Sequence, residues 1–84
     1  MIDPNRGEDD PTLVMKLYDG TIIPANRHVD REERDRRLNA FHRPYHRAIA
    51  RLAARQSNSV ILAMHSYTPQ LKGREKRPWH IAIV

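Results

Sequence analysis

The sequence contains no cysteine, and it has little of the apolar material that a small domain needs in order to fold alone. Without cysteine there is no disulfide framework, no thiolate nucleophile and no cysteine-ligated zinc. Hydrophobic residues make up 39% of the 84 positions, which is a thin supply for a self-sufficient core. We therefore interpret residues 1–84 as a single partial domain that depends on packing or on partners for its stability.

Long apolar runs are also missing. The longest run, Val60–Met64, is far shorter than the roughly 20 residues of a membrane-spanning helix. The first residues contain no apolar segment of the kind found in secretory signals. These absences predict a soluble, cytoplasmic protein with no membrane partner.

The formal net charge of +5 is concentrated in one segment. Residues 31–55 contain eight arginines against three acidic residues, whereas the rest of the chain is neutral overall. Arg43, Arg47, Arg51 and Arg55 are spaced four residues apart and could follow the phosphates of a nucleic acid. No pattern of a known nucleic-acid-binding fold accompanies them, so a solvated helix face is favoured and a small basic nucleic-acid-binding module remains the alternative.

The same segment predicts one long helix. Asp30 and Glu33 have the spacing of a capping box, so the helix should begin there. Pro44 lacks the N–H that would bond to the carbonyl of Ala40, so we expect a kink or two abutting helices that end near residues 57–59. The expected buried face is an apolar stripe at steps of three and four residues, namely Leu38, Phe41, Tyr45, Ile49 and Leu52.

Strands are predicted before and after this helix. Val60–Met64 has the pattern of a strand buried on both faces of a parallel sheet, and Trp79–Val84 begins another strand. An Asp-Gly pair at 19–20 indicates a hairpin, although the Asp-Pro pair at 10–11 could instead cap one short helix. One helix covers only one face of a two-sided strand. We therefore expect a piece of a larger α/β domain, or an oligomerising subunit that self-associates through an incomplete sheet.

His65 is the best-placed candidate for chemistry. It directly follows the apolar run, at the carboxyl end of a predicted central strand, where α/β sheets bind ligands. Imidazole is a common metal ligand, but a catalytic zinc needs about three protein ligands. From the residues alone, a structural histidine is the favoured interpretation.

Two further groups of polar residues have candidate roles. Arg6 lies in a compact polar turn and could bind a carboxylate through its planar guanidinium, but the composition favours the alternative in which Asp3 caps its own turn and Arg6 lies in solvent. His42 and His46 have the helical spacing of a metal-ligand pair. Pro44 lies between them and no HExxH pattern is present, so a solvated or helix-packing role is favoured.

Five short motifs follow one another along almost the whole chain. They are Ile2–Gly7, Asp19–Asn26, Phe41–His46, Met64–Pro69 and Arg77–His80. In order and approximate spacing they resemble the middle of N-formylglutamate amidohydrolase family proteins. That family looks related to the zinc carboxypeptidases, which likewise carry an Asp-x-Asn-Arg turn and a His-Ser-Tyr stretch. The resemblance implies a fragment of a three-layer α/β/α zinc-exopeptidase-like domain, with one long kinked helix and a few strands.

The resemblance also implies roles for individual residues. His65 would be the last of three protein zinc ligands, Asn5 and Arg6 would bind the substrate carboxylate, and Ser66 would line the same pocket. The implied reaction is zinc-dependent hydrolysis of N-formylglutamate or a related N-acyl amino acid, in which zinc polarises the formyl carbonyl and activates water while a glutamate transfers the proton. The resemblance also implies a role for the protein in histidine degradation.

The remaining parts of the implied site are not in this sequence. The other zinc ligands and the catalytic glutamate of the family would precede Met1 and follow Val84, so no catalytic residue is assigned here. The chain alone is therefore expected to be inactive. Asn26 and His46 match motifs of the family without an assigned role.

Overall fold

The computed structural model describes residues 1–83. Its elements in chain order are strands β1 (Leu17–Tyr18) and β2 (Thr21–Ile22), a 3-10 turn (Pro24–Asn26), helix α1 (Arg31–Arg37), a π-helical segment (Leu38–His42) and helix α2 (Arg43–Ala53). The chain is thus a small mixed α/β structure. Val84, the last residue of the predicted terminal strand, lies outside the described residues.

The hairpin predicted around residues 19–20 is confirmed. Strands β1 and β2 are antiparallel, with Leu17 opposite Ile22 and Tyr18 opposite Thr21. Asp19 and Gly20 both have positive φ angles, of 48° and 74°, as a two-residue turn between twisted strands requires. Residues 11–14 form turns, so the alternative short helix after Asp10 is not present.

The predicted start of the helix is also confirmed. The side chain of Asp30 accepts a hydrogen bond from the backbone N–H of Glu33 at 2.8 Å. The predicted end near residues 57–59 is wrong, because α2 ends at Ala53. The hydroxyl of Ser59 donates to the carbonyl of Ala53 at 2.8 Å and satisfies one of the acceptors at the end of the helix.

Pro44 has the predicted effect of dividing the helix in two. In the π-helical segment before it, the N–H of Arg43 bonds to the carbonyl of Leu38, five residues back. A π turn holds one more residue than an α turn, and Leu38 and His42 are the first and last residues of this segment. Leu38 and His42 are buried, whereas Phe41 is exposed.

The predicted apolar stripe is confirmed in part, because Leu38 is buried and Ile49 is half-buried. It is wrong for the three large side chains that are exposed, namely Phe41, Tyr45 and Leu52.

The two strands predicted in the second half of the chain are not formed. Val60–Met64 is irregular, and its large side chains are exposed. Residues 79–83 are also irregular. A central strand needs neighbours on both sides to bond its backbone groups, and the described residues supply none for these segments.

The second half of the chain is fixed to the hairpin instead. The backbone N–H of Lys72 donates to the carboxylate of Asp19 at 3.0 Å, and the hydroxyls of Tyr18 and Thr68 share a hydrogen bond of 2.7 Å. Only Leu13 and Leu38 are fully buried apolar residues among those described. The molecule is flat, with extents of 45 × 38 × 16 Å. Within residues 1–83, no helix has both the length and the apolar character needed to cross a membrane.

Candidate functional site

The residues Asp3–Gly7 form a tight polar turn. The backbone N–H of Arg6 donates to the carbonyl of Asp3 at 3.3 Å, and the N–H of Asn5 donates to the Asp3 carboxylate at 2.9 Å. Asp3 therefore caps its own turn, as the simpler interpretation of the sequence predicted. The turn is fixed to the next segment by a hydrogen bond from the N–H of Asp3 to the carbonyl of Leu13, at 2.9 Å.

The side chain of Arg6 projects from this turn and is about half exposed, at 48%. Its guanidinium lies between two carboxylates, 3.7 Å from Asp3 and 3.9 Å from Asp10. These separations are too long for hydrogen bonds. Within the described part of the chain, the guanidinium therefore has charged neighbours but keeps its N–H donors free.

The carboxylate of Asp10 is itself held in place. The backbone N–H and the hydroxyl of Thr12 both donate to it, at 2.7 and 2.5 Å. These hydrogen bonds, with a smaller contribution from the charge of Arg6, lower the pKa of Asp10 below its usual value. Asp10 is thus a fixed negative charge beside the guanidinium.

Two histidines of the helical segments, His42 and His46, form hydrogen bonds with the main chain of the turn. Nε2 of His42 lies 2.7 Å from the carbonyl oxygen of Arg6, and Nε2 of His46 lies 2.9 Å from that of Pro4. A carbonyl oxygen can only accept, so each Nε2 carries the hydrogen and donates it. The two imidazole rings are 4.4 Å apart between centroids, one helical turn from each other.

Glu8 forms the next attachment between the turn and the helices. Its carboxylate accepts from Nε and Nη2 of Arg43, at 2.8 and 3.2 Å, and its carbonyl accepts from Arg34. The hydrogen bonds from Arg43 lower the pKa of Glu8 below its usual value. Together with the histidines, these contacts attach the whole stretch from Pro4 to Glu8 to the helical segments.

An open cleft of about 730 Å³ lies between the turn and α2. Its polar wall comes from the turn and from the imidazoles, and its apolar wall comes from α2 and from residues 61–63. The lining residues are Pro4, Asn5, Arg6, Gly7, Glu8, His42, Tyr45, His46, Ile49, Ile61, Leu62 and Ala63. The predicted pair Asn5 and Arg6 is therefore placed beside a cavity of ligand size.

His65 and Ser66, the other predicted site residues, do not line this cleft. His65 is exposed, and its Nδ1 atom lies 3.0 Å from the carbonyl of Ser66. Ala63 does line the cleft, so His65 is at most about 7 Å of extended chain from the lining. The predicted roles of His65 and Ser66 stay predictions.

The described residues alone do not fit a zinc centre. Within residues 1–83, no group of three or more histidine, cysteine or acidic side chains is close enough to hold a metal ion. Catalytic zinc needs about three protein ligands. His65 could contribute at most one of them.

Asn26 has a structural role that the sequence did not reveal. Its side chain is buried, donates to the carbonyl of Met15 at 2.7 Å, and accepts from Nη1 of Arg37 at 2.7 Å and from the amino group of Met1 at 2.6 Å. These contacts join the amino-terminal segment to α1. The sequence contains one indication, namely that Asn26 lies in the motif Asp19–Asn26. A motif of this kind indicates that a residue is important, but it does not show what the side chain contacts.

The four arginines that are spaced four residues apart, Arg43 to Arg55, have different environments. Arg43 is bound to Glu8 and to Asn39, whereas Arg47 and Arg51 are exposed on α2. Arg55 lies beyond the end of α2. The four guanidinium groups therefore do not form one continuous ladder along a helix.

Comparison with protein families gives a match that covers nearly the whole chain. The sequence model of N-formylglutamate amidohydrolase matches residues 1–83. Comparison with curated proteins and with solved structures gives no match. The family match includes the turn, both histidines of the cleft and the segment around His65, and it confirms the resemblance that the five motifs indicated. This chain belongs to the N-formylglutamate amidohydrolase family.

Proposed function

We propose that this chain forms the carboxylate-binding side of a site that hydrolyses N-formylglutamate or a related N-acyl amino acid. The observation that carries the proposal is the position of Arg6, on a fixed turn at the cleft with its N–H donors free. Family membership supports the amidohydrolase chemistry. The substrate class follows from the charge and shape of the cleft.

The guanidinium of Arg6 suits a carboxylate ligand. Its N–H groups form a planar fork that can donate two parallel hydrogen bonds to one carboxylate. Asp3 and Asp10 lie near it without hydrogen-bonding to it, so a ligand does not have to break a hydrogen bond to reach the donors. Asn5, the neighbour of Arg6 in the turn, adds an amide to the same wall.

The opposite wall of the cleft suits the carbon chain of an amino acid. Ile49 and residues 61–63 supply apolar surface there, and Tyr45 supplies an aromatic ring. A cavity of about 730 Å³ is within the usual range for small-molecule sites. We infer a ligand with a carboxylate at one end and a short aliphatic portion next to it.

The reaction itself requires groups that this chain does not supply. Hydrolysis breaks the amide C–N bond, with hydroxide from water added to the formyl carbon and a proton added to the amine nitrogen, which releases formate and the free amino acid. We propose that His65 gives one ligand to a zinc site that other residues complete, and that Ser66 lines the pocket next to it. We propose further that the complete domain is the three-layer α/β/α arrangement, in which Val60–Met64 becomes a central strand. The chain alone is then inactive.

The proposal is tested by carboxylate binding to the isotope-labelled chain. Adding N-formyl-L-glutamate should shift the NMR signals of the Arg6 side chain and of the Asn5 amide. Replacing Arg6 with alanine removes a charge-assisted, two-bond contact, so the affinity should fall about tenfold or more. Arg6→Lys should recover only part of this affinity, because an ammonium group lacks the planar fork.

Arg47→Ala is the matched control for this experiment. It removes the same charge from an exposed position that does not line the cleft. Equal losses of affinity in the Arg6 and Arg47 variants would show that only net charge matters, and the proposed role of Arg6 would be wrong. Absence of binding to the unmodified chain would contradict the proposal as a whole.

A further inference from the structure

The two histidines of the cleft bind the turn through its main chain. His42 donates to the carbonyl of Arg6 and His46 donates to the carbonyl of Pro4, at 2.7 and 2.9 Å. These carbonyls flank Asn5 on both sides. The imidazoles therefore fix the backbone from which the side chains of Asn5 and Arg6 project, while they leave both side chains free.

The contacts inside the turn are too few to fix its position. Its internal hydrogen bonds, from the N–H groups of Asn5 and Arg6 to Asp3, set the shape of the turn. They do not set where the turn lies relative to α2. That position depends on contacts between residues 26 to 42 positions apart in sequence, namely the two histidine bonds and the bonds of Glu8 with Arg34 and Arg43.

The spacing of four residues along the helical segments brings both histidines to the turn. His42 is the last residue of the π-helical segment, and it is buried four residues after the buried Leu38. His46 then follows one α-helical turn later on the same side, with its ring 4.4 Å from that of His42. Phe41, the residue before His42, is exposed, and a phenyl ring in the place of the imidazole could not donate a hydrogen bond to a carbonyl.

We propose that His42 and His46 are positioning residues for the carboxylate-binding turn, an inference that rests on the proposed function. Neither imidazole binds the substrate carboxylate through its Nε2 atom, because that atom is already engaged with the main chain. Each acts through the carbonyl that it holds, and so sets the place of Asn5 and Arg6 at the cleft. The ligand whose binding they support is a small carboxylate, the same ligand proposed for Arg6.

The test uses His46 because it is exposed, so that its replacement leaves the few buried residues intact. His46→Ala removes the hydrogen-bond donor, whereas His46→Gln keeps an N–H group near the position of Nε2. His28→Ala is the control, since His28 is exposed and does not line the cleft. His42→Gln serves as a second variant that keeps a donor at the buried position.

Two measurements on these variants separate the positioning role from the proposed function. The first is the NMR order parameter of the Asn5 and Arg6 amides, which should be near the rigid value of about 0.85 in the unmodified chain and fall below about 0.6 in His46→Ala. The second is the affinity for N-formyl-L-glutamate, which should fall about fivefold in His46→Ala, the equivalent of one ordinary hydrogen bond. Both the order parameter and the affinity should stay close to those of the unmodified chain in His46→Gln and in His42→Gln. They should be unchanged in His28→Ala.

Unchanged order parameters in His46→Ala would overturn the positioning role, whatever the affinity. Ordered amides that loosen only in the alanine variant would support that role, even if the unmodified chain bound no N-formyl-L-glutamate. In that last case the proposed function would fail, and the histidines would remain as the groups that hold the turn.

Discussion

Arg6 and Asn26 are both polar residues in matched motifs, yet their hydrogen bonds give them different roles. Asn26 is buried, and its amide is engaged by Met15 and Arg37. Such a side chain stabilises the fold and has no free group for a ligand. Arg6 is half exposed with free donors at a cleft, which is the state expected of a ligand-binding residue.

The sequence predicted the turn of the candidate site but not what holds it. Asp3 and Asn5 bond to each other over two residues, and such local chemistry is visible in a sequence. The bonds from His42 and His46 span 36 and 42 residues. Their helical spacing showed that the two histidines share a face, but a single sequence does not show what that face meets.

A prediction for His65 follows from its proposed role as one of about three zinc ligands. In a preparation that also carries the remaining ligands, His65→Ala should remove stoichiometric zinc, because two protein ligands hold the metal much more weakly than three. Metal content measured on the purified protein checks this result. His80→Ala, a change at another exposed histidine, should leave the zinc in place. Full zinc content in the His65 variant would contradict the assignment.

At the scale of elements, the start of α1 was predictable and the buried face was not. The cap depends on Asp30 and Glu33 alone, three residues apart. The buried face depends on which of the residues that follow Leu38 meets the turn of residues 3–7, and the structure places His42 there. Phe41 and His42 are three and four residues after Leu38, and the prediction chose the apolar one, whereas the structure buries the imidazole because it bonds to the turn.

The predicted strands differ from the hairpin in where their hydrogen-bond partners lie. Strands β1 and β2 pair with each other across a two-residue turn, so all the information is local. Val60–Met64 has the composition of a central strand, but its partners would be other strands, and no strand among residues 1–83 pairs with it. An apolar pattern predicts that a segment tends to pair as a strand, but it does not show that a partner strand is available.

Helix α1 should lose stability in acid because of Glu33. Hydrogen bonds from Arg36 and then Arg37 lower the pKa of Glu33 from 4.5 to about 2. The unfolded chain therefore binds more protons between these two pH values, so the stabilisation is complete above about pH 4.5 and is lost as the pH falls towards 2. Glu33→Gln should lower helix content at neutral pH by far-UV circular dichroism, and its difference from the unmodified chain should shrink across this range.

Glu32→Gln is the control for the pH experiment. Glu32 is the exposed neighbour of Glu33, and the structure shows no ion pair for it within residues 1–83. A constant difference between the Glu33 variant and the unmodified chain at all pH values would show that the ion pairs with Arg36 and Arg37 do not stabilise the helix.

At the scale of the whole molecule, the chain exposes more surface than a compact protein of its size. Its radius of gyration is 15.9 Å, against about 12 Å for a compact domain of this length. Its accessible surface is 7585 Å², against about 5,200 Å² for a folded monomer of this mass. The excess is larger than the area of about 800 Å² that each partner buries in a stable protein interface of standard size.

We therefore expect the chain to self-associate through the exposed run Val60–Met64. Sedimentation velocity should show a mass that rises with concentration. Ile61→Asp should weaken the association about tenfold or more, because a carboxylate without a partner would be buried in the interface. Asn58→Asp adds the same charge just outside the apolar run and should have little effect. A single monomeric species at every concentration would contradict this expectation. The cytoplasmic location that the sequence predicts stays a separate prediction.

The thickness of 16 Å has a consequence for the strength of carboxylate recognition. No backbone atom in so thin a layer is far from water, so the electric field of the guanidinium is damped by solvent from both sides. Two opposite unit charges 4 Å apart attract by about 1 kcal/mol in bulk water and by about 4 kcal/mol at the lower dielectric constant of a typical protein surface. A second layer of protein over the cleft would raise the attraction several-fold without a single new contact to the ligand.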